Sequence, residues 1–200
     1  GKGPLGFVGE IDLAALDAST CSPGLTLPRE GRFAMFYFCD EDQPDAMVFA
    51  DEPHTLQGAR LLHLPGAVPA HEARVELTAV QVQTWPGEEH PASQLNGLDE
   101  LPDAFTDALL ELLEADLGDA VGHQVGGWAL PVQGPVEYEV AEGFMVGTSY
   151  DGNTSYDERH RDEALRWEPL VQIDSDEQAG TNWGDAGCLY WLVRPNSTEP

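Results

Sequence analysis

Basic residues are scarce in this sequence. Nine lysine and arginine residues oppose 36 aspartate and glutamate residues, the formal net charge is −27, and Lys2 is the only lysine. A field of this sign repels nucleic acid and anionic membranes and favours basic proteins or cations as partners. The same acidity also serves solubility alone, so both interpretations stay open. The charge therefore predicts no nucleic-acid or membrane partner, and it leaves the oligomeric state undetermined.

Cysteines and long apolar runs are also few. Cys21, Cys39 and Cys188 are scattered without a CxxC or His-Cys spacing, so neither a zinc site nor a disulfide framework is indicated. No apolar stretch approaches the ~18 residues that a membrane-spanning helix needs, and no signal-peptide pattern is found. These absences predict a cytoplasmic protein without a metal or a cofactor.

The most distinctive segment runs from Trp167 to Val193, WEPLVQIDSDEQAGTNWGDAGCLYWLV. Its apolar runs, Pro169–Ile173 and Cys188–Val193, predict two buried strands. The acidic, glycine-containing stretch Asp174–Gly187 lies between them and predicts a loop that gathers the polar side chains. A functional site is therefore expected in this loop.

A similar unit occurs near the beginning of the sequence. Phe7 to Asp12 aligns with Pro169 to Asp174, so that Ile-Asp ends both runs. Gly31 then precedes the aromatic run RFAMFYF, as Gly187 precedes CLYWLV. The recurrence of these landmarks in the same order predicts an internal duplication. We expect one domain over 1–200, with pseudo-symmetric halves at about 1–98 and 99–200.

Several further elements follow from the apolar pattern. A helical turn is expected directly after Asp12, whose carboxylate is placed to cap it. Three more strands are predicted, the last with one buried face: Arg32–Phe38, Ala59–Leu64 and Ala73–Thr84. Trp85–Leu98, rich in Pro, Gly and His, is predicted to be a loop.

One amphipathic helix is predicted near 102–117, with Pro102 in its first turn and Gly118 as its C-terminal cap. Its apolar face consists of Leu101, Phe105, Leu109, Leu112 and Leu113. Its outer face carries acids alone, Asp103, Asp107, Glu111 and Glu114, so burial of the apolar face has to hold the helix. The expected fold class is α+β, dominated by antiparallel sheet.

The polar residues of the 174–187 loop suggest two kinds of chemistry. Asp174, Asp176, Gln178 and Asp185 fall at positions 1, 3, 5 and 12 of an EF-hand, but the sixth position lacks the required glycine, and strands flank the loop. Another cation site remains an alternative, and so does a rigid turn in which Asp174 and Asp185 accept backbone N–H bonds while Trp183 anchors the core. Asp12 and Asp174 occupy equivalent places in the two halves, and paired carboxylates can share acid and base roles. The sequence offers no activated nucleophile.

A glycine-rich segment, GHQVGGW, lies at residues 122–128. Gly126 and Gly127 allow a tight backbone path beside Trp128. The segment is not a dinucleotide-binding pattern. His123 is a candidate general base, although a lone histidine in a turn is more often structural.

These motifs resemble a known family. GHQVGGWALPVQ, LVQIDSD and NWGDAGCLYWLV, in that order, together with PLGFVGEIDLAAL and LPREGRFAMFYF, resemble the YwqG-like family of bacterial proteins, catalogued as a domain of unknown function. The resemblance implies an α+β fold built on antiparallel sheet and no agreed activity. Family members usually carry a Gly-Gly-Pro segment before the first strand, so the N-terminal leader is expected to be missing here.

Charge, resemblance and the lack of catalytic signatures together predict a non-catalytic protein. We expect an acidic cytoplasmic adaptor or immunity-type protein that recognises a basic protein. The alternative is a hydrolase-like enzyme or a cation-binding protein that uses Asp12, Asp174 and Asp185. The expected binding residues are Gln172, Asp174, Asp176, Trp183, Asp185, Gly126, Gly127 and Trp128.

Overall fold

The computed structural model describes residues 3–18, 27–38, 47–66, 75–97, 102, 104–105, 107–108, 111–112, 122–146 and 158–195. The first half forms a three-stranded antiparallel sheet in the order β1-β2-β3. Its strands are β1 (Gly6–Asp12), β2 (Arg32–Tyr37) and β3 (Ala59–Leu64), and a 3₁₀ turn at Leu56–Gly58 leads into β3. The predicted strands of this half that precede residue 65 are confirmed.

The second half forms another three-stranded antiparallel sheet in the order β4-β5-β6. Its strands are β4 (Gln124–Val125), β5 (Glu168–Asp174) and β6 (Cys188–Val193). The two strands predicted on either side of the acidic loop are thus confirmed as β5 and β6. With the helices described below, the predicted α+β class dominated by antiparallel sheet is confirmed.

The β1–β2 and β5–β6 ladders match position by position. Asp12 pairs with Arg32 at the end of the first ladder, and Asp174 pairs with Cys188 at the same place in the second. Each ladder shifts register at the equivalent point, between Phe7 and Gly9 in one and across Leu170 in the other. A bulge is a specific local feature, so its recurrence supports duplication. The third strand differs, since β3 adds to β2 while β4 adds to β5.

Four helices are described in full. α1 (Leu13–Ala18) begins directly after Asp12, whose Oδ1 accepts hydrogen bonds from the backbone N–H groups of Ala14 (3.1 Å) and Ala15 (3.2 Å), so the predicted cap is confirmed. The others are α2 (Pro91–Leu95), α3 (Val136–Val146) and α4 (Glu158–Ala164). α2 lies in the predicted loop 85–98, where Nδ1 of His90 accepts from the N–H of Ala92.

The strand predicted at Ala73–Thr84 is wrong over the part that the structure describes. Residues 75–87 form no ladder, and Val75, Leu77 and Val80 are 55% to 67% exposed. Alternating apolar residues suit a strand only where a neighbouring strand supplies hydrogen bonds and a core covers one face. Among the described residues, neither a pairing strand nor a covering core lies beside this segment.

The helix predicted near 102–117 is helical at 104–105, 107–108 and 111–112, and its other residues lie outside the described part of the chain. Phe105 and Leu112, predicted to be buried, are exposed. Asp107 and Glu111 are exposed, as the predicted acidic outer face requires.

Both halves contribute to one apolar core. Leu13, Phe33 and Met35 from the first half pack with Leu170 and Val171 from the second, and all five are buried. Partly buried side chains surround them: Val8, Ile11, Leu27, Leu61, Ile173, Trp191 and Val193. A shared core of this kind fixes the two sheets against one another, because its packing depends on side chains from both.

Candidate functional site

Gln172 holds the glycine-rich segment against β5. Its side chain is 2% exposed, its Nε2 donates to the carbonyl of Gly122 (2.6 Å), and its Oε1 accepts from the N–H of Leu130 (2.9 Å). Both ends of the amide are therefore used inside the protein. Gln172 acts as a clamp for residues 122–130 and presents no free polar atom to a ligand.

The carboxylate of Asp174 is also occupied by backbone groups. Its Oδ2 accepts from the N–H of Gly122 (3.0 Å) and its Oδ1 from the N–H of Ser175 (2.8 Å). The expectation that this aspartate binds backbone amides is confirmed. The carboxylate of Asp12 caps α1 and lies 3.6 Å from Arg32. Within the described residues the two carboxylates share no contact, so the geometry does not form the paired-acid arrangement.

His123 uses both ring nitrogens within the loop. The N–H of Asp174 donates to Nδ1 (3.1 Å), which places the proton of the neutral ring on Nε2. Nε2 then donates to Oδ2 of Asp176 (3.2 Å). A histidine with both nitrogens engaged has no atom left to take a proton from a substrate, so the geometry favours the structural role.

Asp176 organises the turn that follows β5. Its side chain is buried, its Oδ1 accepts from the N–H of Gln178 (2.7 Å), and its backbone pairs with Thr181. Desolvation by itself raises the pKa of this carboxyl. The N–H groups of Gln178 and Ala179, and His123, outweigh that cost and hold the pKa below its ordinary value. The carboxylate therefore stays ionised, and its oxygens are occupied by hydrogen bonds that stabilise the turn.

Trp183 and Asp185 differ in their surroundings. Trp183 is half-buried, its Nε1 donates to the carbonyl of Asp174 (3.1 Å), and its ring meets Tyr37 edge-on at 5.9 Å. Asp185 is exposed and makes no hydrogen bond with the described part of the chain. The expectation that Asp185 bonds to backbone amides is thus wrong, because the loop turns its side chain into solvent.

The paired glycines take the tight path that the sequence predicts. Gly126 (φ 67°) and Gly127 (φ 74°) adopt left-handed backbone conformations, and the N–H of Gly126 donates to the carbonyl of Leu170. Trp128 donates its N–H to Oγ1 of Thr84 (3.0 Å). These residues carry the chain from β4 across the end of the sheet, which is a scaffolding role.

A cavity of about 870 Å³ lies elsewhere, between β6, α3 and the residues before β3. Its volume falls within the range typical of ligand sites. Its lining is mainly apolar and aromatic, and includes Tyr37, Val48, Phe49, Leu56, Val140, Phe144, Met145, Trp167 and residues 188–192. None of the residues predicted to bind a ligand lines it.

Large apolar side chains of this lining reach the surface. Phe49, Leu56, Phe144 and Met145 are 39% to 54% exposed. A cluster of exposed apolar side chains at the mouth of a cavity is typical of an interaction site, whereas single exposed ones are ordinary. The cavity is therefore the stronger candidate for binding.

Glu139 is the acidic group of the cavity lining. Burial, together with the nearby charges of Asp51 and Glu137, raises the pKa of its carboxyl from 4.5 to about 7. A carboxyl of this kind gains by meeting a cation, which would relieve both the burial cost and the repulsion. The cavity thus combines apolar walls with one carboxyl that favours a positive partner.

Two further polar groups in the lining are poor reagents. Burial raises the pKa of the Cys188 thiol to about 11, so the thiol stays protonated at neutral pH and is a weak nucleophile. Burial also raises the pKa of the Tyr190 hydroxyl, which donates to the carbonyl of Leu130 (2.9 Å). Their state favours binding over covalent chemistry.

The cavity was not predicted from the sequence, because no element was expected at residues 136–146. The available signal was Pro135 before a run with apolar residues at Val136, Val140, Ala141 and Phe144, which is helical spacing. That pattern predicts α3 and places Glu139 on it. The approach of residues 48–50 and β6 depends on the tertiary fold.

Two kinds of feature are absent from the described residues. No group of three or more histidine, cysteine, aspartate or glutamate side chains is placed to hold a metal ion in the part of the chain that the structure describes. Among those same residues, no helix has the length and apolar character to cross a membrane.

Comparison with known families identifies a family model that matches this chain. The model of a family described as a domain of unknown function, DUF1963, matches residues 1–199. Comparison with curated proteins finds no significant match. The match covers nearly the whole chain and carries no activity with it.

Proposed function

The chain belongs to the DUF1963 family of domains of unknown function, and on that premise we propose that it is a non-catalytic binding protein that recognises a basic protein partner. Within that family we place it among the YwqG-like bacterial proteins, as an acidic cytoplasmic adaptor or immunity-type protein. The cavity beside β6 carries the proposal, because it joins exposed apolar side chains to a carboxyl that favours a cation.

The charge of the chain supports a basic partner. A net charge of −27 attracts a positively charged protein over distances of about one Debye length, ~8 Å at physiological ionic strength, and speeds its association. Long-range attraction of this kind acts on the association rate, while the buried apolar contacts of the cavity set the dissociation rate. The two features therefore serve one interface.

The state of the polar residues supports binding over catalysis. The polar side-chain atoms of Asp174, Asp176 and His123 are hydrogen-bonded within the protein, and the Cys188 thiol is protonated at neutral pH. An enzyme needs a group that is free to exchange a proton or to attack. The alternative of a hydrolase-like enzyme gains no support from these contacts.

The test is affinity capture followed by kinetics with the purified partner. We expect the wild-type chain to retain a basic protein whose association slows as salt increases. Phe144→Ser should speed dissociation by tenfold or more, since exposed apolar anchors at an interface are often worth above ~1.4 kcal/mol. Glu177→Gln, an exposed site outside the cavity lining, serves as the control and should change neither rate beyond twofold.

Two results would overturn this function. Capture of an acidic protein would contradict the proposal that the negative charge of this chain attracts its partner. Equal dissociation rates for wild type and the Phe144 variant would place the interface away from the cavity.

A further inference from the structure

The hydrogen bonds of the β5 backbone show which β5 residues point their N–H and C=O groups toward β6. The carbonyl of Asp174 accepts from Nε1 of Trp183 and Oγ1 of Thr181, and the carbonyl of Leu170 accepts from the N–H of Gly126. These groups therefore point away from β6. Because backbone groups alternate along a strand, Val171 and Ile173 are the β5 residues that face β6.

The alternation then assigns the two sides of β6. Leu189 and Trp191 pair with Ile173 and Val171, so their backbone groups face β5. The N–H and C=O groups of Cys188, Tyr190 and Leu192 face the opposite side. In the described part of the chain no strand pairs with that side, since β6 is the last strand of its sheet.

The cavity runs along this free edge. All five residues from Cys188 to Leu192 line it. Side chains alternate between the two faces of a strand, so a space that touches five consecutive residues lies beside the strand and not over one face. The backbone donors and acceptors of β6 that pair with no described strand thus face the cavity.

Charge in the cavity favours a cationic occupant. Glu139 lies in the lining, with Asp51 and Glu137 close enough to raise the pKa of its carboxyl. Arg60 is the basic residue of the described lining, and its Nη1 already donates to the carbonyls of Leu56 (2.9 Å) and Ala59 (2.6 Å). In the described lining no free basic group is therefore left to pair with Glu139, and a lysine or arginine from a partner would supply one.

We propose that an extended segment of the basic partner adds to β6 as a further strand within the cavity, with a lysine or arginine side chain at Glu139. The proposal rests on the function proposed above and specifies how the partner is recognised. Backbone pairing supplies affinity that does not depend on sequence, and the apolar walls with Glu139 supply the preference for side chains.

The first experiment uses three synthetic peptides of about six residues, the usual length of a strand. One alternates lysine and valine, and the other two are the same peptide N-methylated at every lysine or at every valine. Successive residues point their N–H groups to opposite edges, so each methylated peptide loses one edge. The lysine–valine alternation fixes the register, because a slip by one residue exchanges the faces.

We expect the unmodified peptide to bind, one methylated peptide to bind at least tenfold more weakly, and the other to bind within twofold of the unmodified one. Equal affinities for both methylated peptides would overturn the added strand. Equal affinity for a peptide alternating glutamate and valine would overturn the basic occupant. Binding of an apolar dye, with no binding of any peptide, would assign the cavity to a small ligand and also overturn it.

Variants of the protein test the same contacts from its side. Leu192→Pro removes an outward-facing N–H opposite Pro169, where proline on an edge strand is tolerated, and Leu192→Ala is its matched control. Proline should weaken the peptide about fivefold relative to alanine, as expected for one hydrogen bond. Glu139→Gln should weaken it about tenfold through loss of the charged acceptor. If Leu192→Pro does not fold, the methylated peptides still decide the proposal.

Failure here is distinguishable from failure of the proposed function. One outcome is a captured basic partner whose association slows with salt and whose dissociation depends on Phe144, while the two methylated peptides bind equally. That outcome would support the proposed function and overturn the added strand.

Discussion

Replacing Glu139 with glutamine is expected to stabilise the protein above neutral pH and to have little effect in acid. In the folded chain, burial together with Asp51 and Glu137 raises the pKa of this carboxyl from 4.5 to about 7. Between these values the folded state binds the proton more tightly than the unfolded state, so stability falls as the pH rises through this window. Glutamine resembles the protonated carboxyl at every pH and therefore removes the loss.

The size of the effect follows from the two pKa values. The step from 4.5 to about 7, at about 1.4 kcal/mol for each pH unit, corresponds to about 3 kcal/mol. Above pH ~8 the variant should exceed the wild type by about this amount in free energy of unfolding. Near pH ~4.5 the two proteins should agree to within about 0.5 kcal/mol, because the folded-state carboxyl is protonated and the unfolded-state carboxyl is only half ionised, which is worth about RT ln 2.

Urea unfolding of both proteins at three pH values, acid, neutral and alkaline, measures the difference directly. Glu177→Gln is the matched control, since its side chain is exposed and the same charge is removed. The control should leave the difference flat across pH. A Glu139→Gln difference that is equally flat would refute the buried, repelled carboxyl on which the binding argument draws.

Three further substitutions test the scaffold by denaturant unfolding. Gln172→Met leaves the N–H of Leu130 and the carbonyl of Gly122 without their partner, and should lower the free energy of unfolding by about 2–4 kcal/mol. The control Gln133→Met, at an exposed site, should lower it by less than about 0.5 kcal/mol, and near-equal losses would contradict the clamp. Gly143→Ala drives a methyl group into the carbonyl of Ala50 and should cost about 1–3 kcal/mol, whereas Gly134→Ala meets no neighbour and should not destabilise. Trp183→Ala should lower the free energy of unfolding by about 3 kcal/mol, which is at the lower end for a tryptophan because the ring is half-buried. A loss under about 1 kcal/mol would show that the ring contributes little to the packing.

Local sequence patterns were sufficient for the elements whose stabilising partners lie nearby or whose apolar runs are long. Asp12 caps α1 because a carboxylate directly before a helix reaches N–H groups two and three residues on. The runs that became β5 and β6 are too apolar to remain in solvent, and the repeated Ile-Asp and glycine landmarks predicted equivalent ladders. The role of Asp174 as a backbone acceptor also followed from its place at a turn.

Only the tertiary structure decided which segments found a partner and which polar groups became buried. Residues 75–84 alternate as a strand should, yet no edge within the described part of the chain pairs with them, and alternation cannot supply that edge. The pKa of Glu139 depends on burial and on Asp51, which is remote in sequence. The cavity forms where β6, α3 and residues 48–50 converge, so its apolar walls and the Glu139 carboxyl are brought together by packing between distant segments. Hydrophobic periodicity predicts the structure of one segment at a time and does not predict contacts between segments that are far apart in the chain.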